Sequence, residues 1–140
     1  MKKSKIKNQK LAGLLFVSFL LAVLIAAAQT TSWKAPATAA KVKNPVASDA
    51  TSIEAGKKIY IKECNKCHGK KGMGDGPNSA DLDKKLEPLN NAEVKGQTDG
   101  ELFWKISEGK KPMPSTKKTL TDDQRWQLIN YIRTFSSPTK

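Results

Sequence analysis

The run Cys64-Asn65-Lys66-Cys67-His68 constrains this 140-residue chain more than any other stretch of its sequence. A C-x-x-C-H run is the attachment signature of a c-type haem. Two thiols separated by two residues on one turn of backbone can each add to one of the two vinyl groups on the haem rim. The imidazole that follows can ligate the iron, and His68 is the only histidine in the chain. The run therefore predicts one covalently attached haem.

Other sites also use pairs of cysteines. A structural zinc site needs four protein ligands, whereas this chain offers two cysteines and one histidine, all within five residues. A thioredoxin-like C-x-x-C lies beside a βαβ pattern, and the sequence contains no such pattern. A disulfide across two residues would close a small, strained loop and stabilise little. The haem interpretation is favoured because the segments on both sides of the run fit it.

Residues 1–28 have the pattern of an export segment. They carry five lysines and no acidic residue, and residues 11–28 are apolar apart from Ser18. The basic flank predicts that the chain after it is exported. Ala26-Ala27-Ala28 offers a cleavage site, but the 18-residue apolar run is just long enough to span a bilayer. We favour a retained anchor in the cytoplasmic membrane, with a soluble periplasmic protein as the alternative if cleavage follows Ala28.

Residues 29–50 are rich in Ala, Thr, Pro and Lys and show no apolar period, so we predict a linker. A flexible linker of this length would hold the domain on the order of 25–30 Å from the membrane. The net charge of the chain is +12, of which +7 remains when the five N-terminal lysines are set aside. Aromatic residues interleaved with arginine, typical of single-strand nucleic-acid binders, are absent from the sequence. The charge instead predicts a surface for acidic partners or for a membrane.

Helical patterns and the absence of strand-like alternation predict an all-α domain over residues 51–137. The first helix is predicted from Thr51 to Glu63, with Ser52 as its cap and Glu54 in its first turn. Gly56 and Tyr60 share one face of this helix. Glycine is unfavourable inside a helix, so its presence on that face indicates that another helix crosses closely there.

Two further helices are predicted over residues 98–109 and 121–135. Each begins with a capping box, in which the side chains of the first and fourth residues bond each other's backbone N–H. The boxes are Thr98 with Glu101 and Thr121 with Gln124. The apolar face of the second helix is Leu102, Phe103 and Ile106, and Gly109 ends it. The buried stripe of the third is Leu128, Ile129, Ile132 and Phe135, with Trp126 and Tyr131 on its flanks.

Two loops complete the candidate site. Residues 69–77 are glycine-rich without the spacing of a Walker A or dinucleotide loop, and they would let the backbone pass close to a flat cofactor. Met113 lies between two prolines in a basic loop, where it is a poor core residue and a good candidate ligand. Residues 78–97 are polar and irregular, and they indicate at most a short helix near residues 80–86.

Residues 52–135 resemble class I cytochrome c in several pieces that occur in the expected order. The pieces are Gly56-x-x-x-Tyr60-x-x-x-Cys64-x-x-Cys67-His68-Gly69, Gly74-Asp75-Gly76-Pro77, Gly100-Glu101-Leu102 with Ile106, Gly109 to Met113-Pro114, and the helix Leu120-Thr121-Asp122-Asp123-Gln124-Arg125-Trp126 that ends in Tyr131-Ile132-Arg133. The resemblance covers nearly the whole domain. It implies the cytochrome c fold, with three main helices around one covalently bound haem, preceded here by the N-terminal apolar helix.

The resemblance also assigns roles to residues. Cys64 and Cys67 would form the two thioethers, and His68 would be the proximal ligand of the iron. Pro77 would offer its backbone carbonyl to the other imidazole nitrogen. Met113 would be the sixth ligand on the opposite haem face. A second methionine, Met73, stands in the glycine-rich loop and leaves the choice of sixth ligand open.

The implied function is that of a monomeric one-electron carrier, in a respiratory or photosynthetic chain or as the haem subunit of a larger redox complex, and not an enzyme by itself. His/Met ligation raises the reduction potential of a haem. Acidic redox proteins are the expected partners, and nucleic acid is not. The alternative is a ligand-binding or catalytic haem protein with an open sixth site. The lysines expected to border the haem crevice are Lys66, Lys70, Lys71, Lys84, Lys85, Lys110, Lys111, Lys117 and Lys118.

Overall fold

The computed structural model describes residues 33–136, and within this range it contains five α-helices and no β-strand. The all-α prediction is therefore confirmed. The predicted apolar helix at residues 11–28 lies outside the described residues. None of the helices in the described range is long and apolar enough to cross a membrane. The helices are α1 (Ala50–Glu63), α2 (Asn65–His68), α3 (Ala92–Gly96), α4 (Asp99–Glu108) and α5 (Asp122–Thr134).

Helix α1 begins one residue earlier than predicted, and its cap is Asp49 instead of Ser52. The Asp49 carboxylate accepts a hydrogen bond from the Ser52 N–H at 2.7 Å, and the Ser52 hydroxyl accepts one from the Asp49 N–H at 3.2 Å. Ser52 is thus the fourth residue of a capping box, counted from the cap. Glu54 consequently lies beyond the first turn, where the helix dipole stabilises it little.

The long helices α1 and α5 cross at Gly56, as the sequence predicted. A Cβ atom on Gly56 would lie 2.0 Å from the backbone oxygen of Gln127 on α5, so only glycine allows this approach. Tyr60, Leu128 and Ile129 are fully buried beside the crossing. Burial of such side chains contributes roughly 1.5–3 kcal/mol each, and the crossing is therefore the centre of the core.

Helix α4 packs on α5 through aromatic side chains. The rings of Phe103 and Trp126 stack with centroids 4.0 Å apart, and the Arg125 guanidinium lies over the Phe103 ring at 4.9 Å. Trp126, which was predicted on the flank of the stripe, is only 4% exposed. The buried face of α5 is wider than its aliphatic stripe because α4 covers this side as well.

The stretch between the haem motif and α4 differs from the prediction. Near residues 80–86 the chain forms only a 3₁₀ turn, Ser79–Asp81, and the short helix α3 lies further on. Arg133 of α5 stabilises the short helix α3 by hydrogen bonds to its C-terminal end. Its guanidinium donates to the carbonyls of Val94 (3.2 Å) and Gln97 (2.5 Å) at the end of α3, and it also binds the Asp99 carboxylate at 2.8 Å.

Residues 34–49, which we call the N-terminal strap, belong to the same compact unit as the five helices, although the sequence predicted a linker there. Ala39 is buried, and a Cβ on Gly100 would lie 2.0 Å from the Ala39 oxygen, so the strap runs directly over the start of α4. Asn44 donates to the Asn130 side-chain oxygen at 2.8 Å. Asn130, which is buried, donates in turn to strap carbonyls, including that of Ala47 at 3.1 Å.

Candidate haem site

The haem motif forms one turn of helix directly after α1. The His68 N–H donates to the Cys64 carbonyl at 2.9 Å, and the Cys67 N–H donates to the same carbonyl at 3.2 Å. Residues three and four apart on a helix lie on one face. The two sulfur atoms and the imidazole therefore project from the same side of this turn, as attachment to one macrocycle requires.

Both cysteines are free thiols and are half-buried. Burial, assisted by the negative charge of the neighbouring Glu63, raises the pKa of the Cys64 thiol to about 12. A thiol with so high a pKa is protonated at neutral pH and is a poor redox nucleophile. Within residues 33–136 no group of three or more His, Cys, Asp or Glu side chains is arranged to hold a metal ion.

His68 is half-buried, and burial lowers the pKa of its imidazole. The ring is therefore neutral at pH 7, which is the form that ligates iron. Its Nδ1 atom is buried and has no hydrogen-bond partner. The predicted bond to the Pro77 carbonyl is therefore not formed in this structure.

The segment around Pro77 nevertheless lies against the haem motif. The N–H of Gly76 donates to the Cys67 carbonyl at 3.2 Å, and the N–H of Asn78 donates to the Lys66 carbonyl at 2.8 Å. These two bonds flank Pro77 and bring it beside the motif. Its role as the acceptor for His68 stays a prediction for the haem-bound protein.

A tight backbone corner follows His68. Gly69 has φ +78°, a left-handed conformation that favours glycine, and a Cβ on it would lie 1.8 Å from a carboxylate oxygen of Asp75. The Gly74 N–H donates to the His68 carbonyl at 2.9 Å, and the Tyr60 hydroxyl donates to the Gly69 carbonyl at 2.7 Å. The glycines of this loop thus allow a compact turn that holds the His68 backbone from two sides.

The loop that carries Met113 is attached to the end of α4. The hydroxyls of Ser115 and Thr116 donate to the carbonyls of Ser107 (2.6 Å) and Ile106 (2.8 Å). Met113 itself is half-buried and packs against the hydrophobic core cluster, as Cys64 also does. Met113 is therefore less exposed than expected for a residue of a basic loop.

The family of the chain follows from its sequence match. The family model described as cytochrome c oxidase, cbb3-type, subunit III matches residues 51–132. The chain belongs to this family of c-type cytochromes. It accordingly binds a c-type haem with iron covalently. No curated protein matches the cytochrome.

Several solved structures resemble the cytochrome, among them two at 33% and 26% identity. The first is the Kuenenia stuttgartiensis reducing HAO-like protein complex Kustc0457/Kustc0458, with 33% identity and a TM-score of 0.61 over 69% of this chain. The cytochrome spans about half the length of that chain (50%). The second is the KustC0563 c-type cytochrome, with 26% identity and a TM-score of 0.51 over 59% of this chain and 98% of its own.

The residues in place fit a covalent haem. Cys64 and Cys67 offer two free thiols on one helical turn, and His68 offers a neutral imidazole whose Nδ1 is unpaired. Several apolar side chains that pack against the buried core are themselves only half-buried. They are Ile59, Leu89, Val94, Phe103, Met113, Tyr131 and Phe135. When bound, the haem supplies an iron that changes oxidation state by one electron.

The sequence indicated most of this site but missed the hydroxyl of Tyr60. The sequence placed Tyr60 on the same face of α1 as Gly56, where a second helix was predicted to cross, and its full burial and ring contacts agree with that place. Its bond to Gly69 joins two segments that lie nine residues apart. The sequence did offer a signal for this bond. A tyrosine on the buried face of a helix needs a hydrogen-bond partner for its hydroxyl.

Proposed function

We propose that the cytochrome carries one electron at a time on an iron held between His68 and Met113. The observation that carries this proposal is that the His68 imidazole and both thiols stand on one helical turn, while Met113 lies half-buried against the core. With protein ligands on both faces, the iron has no site for oxygen or peroxide, and it can only exchange electrons. A soft thioether ligand favours ferrous iron and raises the potential.

The difference in exposure between the two candidate methionines favours Met113 as the sixth ligand. Met113 is half-buried, packs on the core and lies in a loop attached to α4. Met73 is 42% exposed in the glycine-rich corner on the His68 side of the site. An exposed methionine that follows the proximal ligand by five residues is poorly placed to reach the opposite face of the haem.

We further propose that the domain works on the periplasmic side, attached to the cytoplasmic membrane through residues 11–28, either in a respiratory or photosynthetic chain or as a subunit of a redox complex. Its partners would be acidic redox proteins. All nine lysines expected around the haem crevice are exposed, which supports such contacts. Charged surfaces of this kind guide brief encounters and are sensitive to salt.

The ferric spectrum of the haem-loaded protein tests the ligation. The weak far-red band of a methionine sulfur–iron bond is expected in the wild type and in Met73→Ala, and it should vanish in Met113→Ala. A band that is lost in Met73→Ala and kept in Met113→Ala would transfer the ligand role to Met73. A wild type without the band, whose ferrous form binds carbon monoxide readily, would replace the proposal with an open-site haem protein.

Small redox reagents of opposite charge test the lysine surface. Oxidation by anionic ferricyanide should slow as salt is added, whereas oxidation by the cationic complex tris(1,10-phenanthroline)cobalt(III) should not. The double variant Lys70→Glu/Lys71→Glu should reduce the salt dependence with ferricyanide. Equal salt dependence for the two reagents would contradict a basic surface at the site of electron exchange.

A further inference from the structure

Tyr60 touches both ends of the haem motif. Its backbone carbonyl accepts a hydrogen bond from the Cys64 N–H at 2.9 Å, and its side-chain hydroxyl donates to the Gly69 carbonyl at 2.7 Å. Cys64 is the first residue of the motif, and Gly69 directly follows its last residue, His68. The first bond is the closing backbone bond of α1, whereas the second is made by the tyrosine side chain and ties the residue after the motif to α1.

Tyr60 is itself held rigidly. It is fully buried, and its ring contacts those of Tyr131 and Phe135 at centroid distances of 5.3 and 5.2 Å. Burial raises the pKa of its hydroxyl well above the usual value, so the group stays protonated and remains a donor. A buried, oriented donor at 2.7 Å is a strong constraint on the carbonyl it contacts.

The backbone that carries His68 is constrained by two hydrogen bonds. The His68 carbonyl accepts from the Gly74 N–H, and the next carbonyl accepts from the Tyr60 hydroxyl. Metal-ligating histidines are usually oriented by a partner of the ring itself, and the bond predicted from Nδ1 to the Pro77 carbonyl would supply that partner in the haem-bound protein. The two backbone bonds hold the peptides on either side of the Cα atom from which that ring projects.

We propose that Tyr60 is a positioning residue for the haem iron, whose hydroxyl fixes the His68 corner and with it the geometry of the iron–imidazole bond. This inference rests on the proposed ligation by His68. The hydroxyl proton also places the positive end of a dipole on the peptide next to the ligand. A positive dipole there stabilises ferrous over ferric iron, because the ferric form carries the extra positive charge.

The test compares Tyr60→Phe with Tyr131→Phe in the haem-loaded protein. Tyr60→Phe keeps the ring contacts and removes only the hydroxyl, and Tyr131→Phe removes a hydroxyl from the neighbouring ring. We expect Tyr60→Phe to lower the midpoint potential, to change the g-values of the ferric electron paramagnetic resonance spectrum and to speed amide exchange at Gly74. Tyr131→Phe should match the wild type in all three. A Tyr60→Phe protein with reduced stability but wild-type potential and g-values would overturn the proposal.

A second variant covers the case in which Tyr60→Phe does not assemble with haem. The chain has two tyrosines, so Tyr60 is the only one left in Tyr131→Phe. Replacing it with 3-fluorotyrosine makes the hydroxyl a stronger donor and should raise the midpoint potential, whereas an unchanged potential contradicts the inference. The proposed function and the positioning role of Tyr60 can be refuted separately. A wild type without a histidine-ligated spectrum overturns the function and this inference with it, whereas a normal wild type that is insensitive to Tyr60 overturns this inference alone.

Discussion

Gly56→Ala tests the helix crossing on which the whole domain depends. The new methyl group would lie 2.0 Å from the Gln127 backbone oxygen, 2.6 Å from its carbonyl carbon and 3.0 Å from the Cβ of Tyr131. Cβ contacts below 3.0 Å are essentially never observed. The two nearest of these atoms belong to backbone, and no side-chain rotation can move either them or the Cβ of Tyr131. Helices α1 and α5 must therefore separate by about 1 Å, and the packing of Tyr60 between them must loosen.

The expected magnitude follows from two opposing effects. Overpacking a core costs about 3 kcal/mol when the backbone has to shift. Alanine is the better helix former and offsets about 1 kcal/mol. The net loss of about 2 kcal/mol corresponds to a fall in melting temperature of roughly 8–16 °C for a domain of this size. Thermal unfolding of the haem-loaded protein, followed by circular dichroism and by the haem absorbance, measures this loss.

Gly96→Ala is the matched control. Gly96 is the last residue of α3, and a Cβ there would meet nothing within 4 Å. The same substitution should therefore leave stability unchanged or raise it by up to about 1 kcal/mol. If Gly56→Ala melts at or above the wild-type temperature while Gly96→Ala behaves as expected, the argument that the crossing demands glycine is refuted.

Three further predictions concern single contacts. Arg133→Lys should lower the free energy of unfolding in urea by about 2 kcal/mol, since lysine cannot bond two carbonyls and a carboxylate at once; a loss below about 0.5 kcal/mol would contradict this. Hydrogen bonding to Thr98 lowers the pKa of Glu101. The stability that the Glu101 carboxylate adds through this cap is therefore fully present above pH 4.5 and is lost as the pH falls through the lowered pKa. The stability difference between wild type and Glu101→Gln should shrink correspondingly on acidification, and a pH-independent difference would exclude the carboxylate as its origin. Asn130→Ala should cost about 1–3 kcal/mol and speed proteolysis within the strap, with a smaller effect for Asn44→Ala, whose partner Asn130 keeps its other bonds; equal protease resistance in all three proteins would show that these amides do not hold the strap.

The correct predictions are those that depend on residues close together in sequence. The capping boxes of Thr98 and Thr121 are local patterns of four residues, and both form as predicted. The close approach at Gly56 was also predictable, because glycine weakens a helix and its place on the buried face indicates that a second backbone needs the space. The error at the start of α1 arose because Asp49 and Ser52 are both good caps three residues apart, and the sequence pattern did not distinguish the cap from its reciprocal partner.

The missed features depend on bonds between distant residues. Helix α3 is five residues long, too short for a hydrophobic period, and its order depends on Arg133, which lies more than 30 residues further along the chain. The strap has the composition of a linker, yet its carbonyls are bound by Asn130, more than 80 residues away. The same dependence on bonds between separate segments explains what was missed at the candidate haem site. The spacing of the motif predicts its ligands from local sequence alone, whereas the hydroxyl of Tyr60 bonds across a turn that no local pattern shows.

The strap changes how far the domain could move if residues 11–28 are retained as an anchor. A free linker over residues 29–50 would have 22 residues, but the strap begins at residue 34, which leaves five. A flexible segment of five residues has a root-mean-square length of about 11–13 Å. Effective concentration near the point of attachment varies as roughly the −3/2 power of linker length, so docking the strap makes it about ninefold higher. Redox partners bound to the same membrane would then encounter the haem at a raised local concentration. That concentration would depend partly on the hydrogen bonds between Asn130 and the strap.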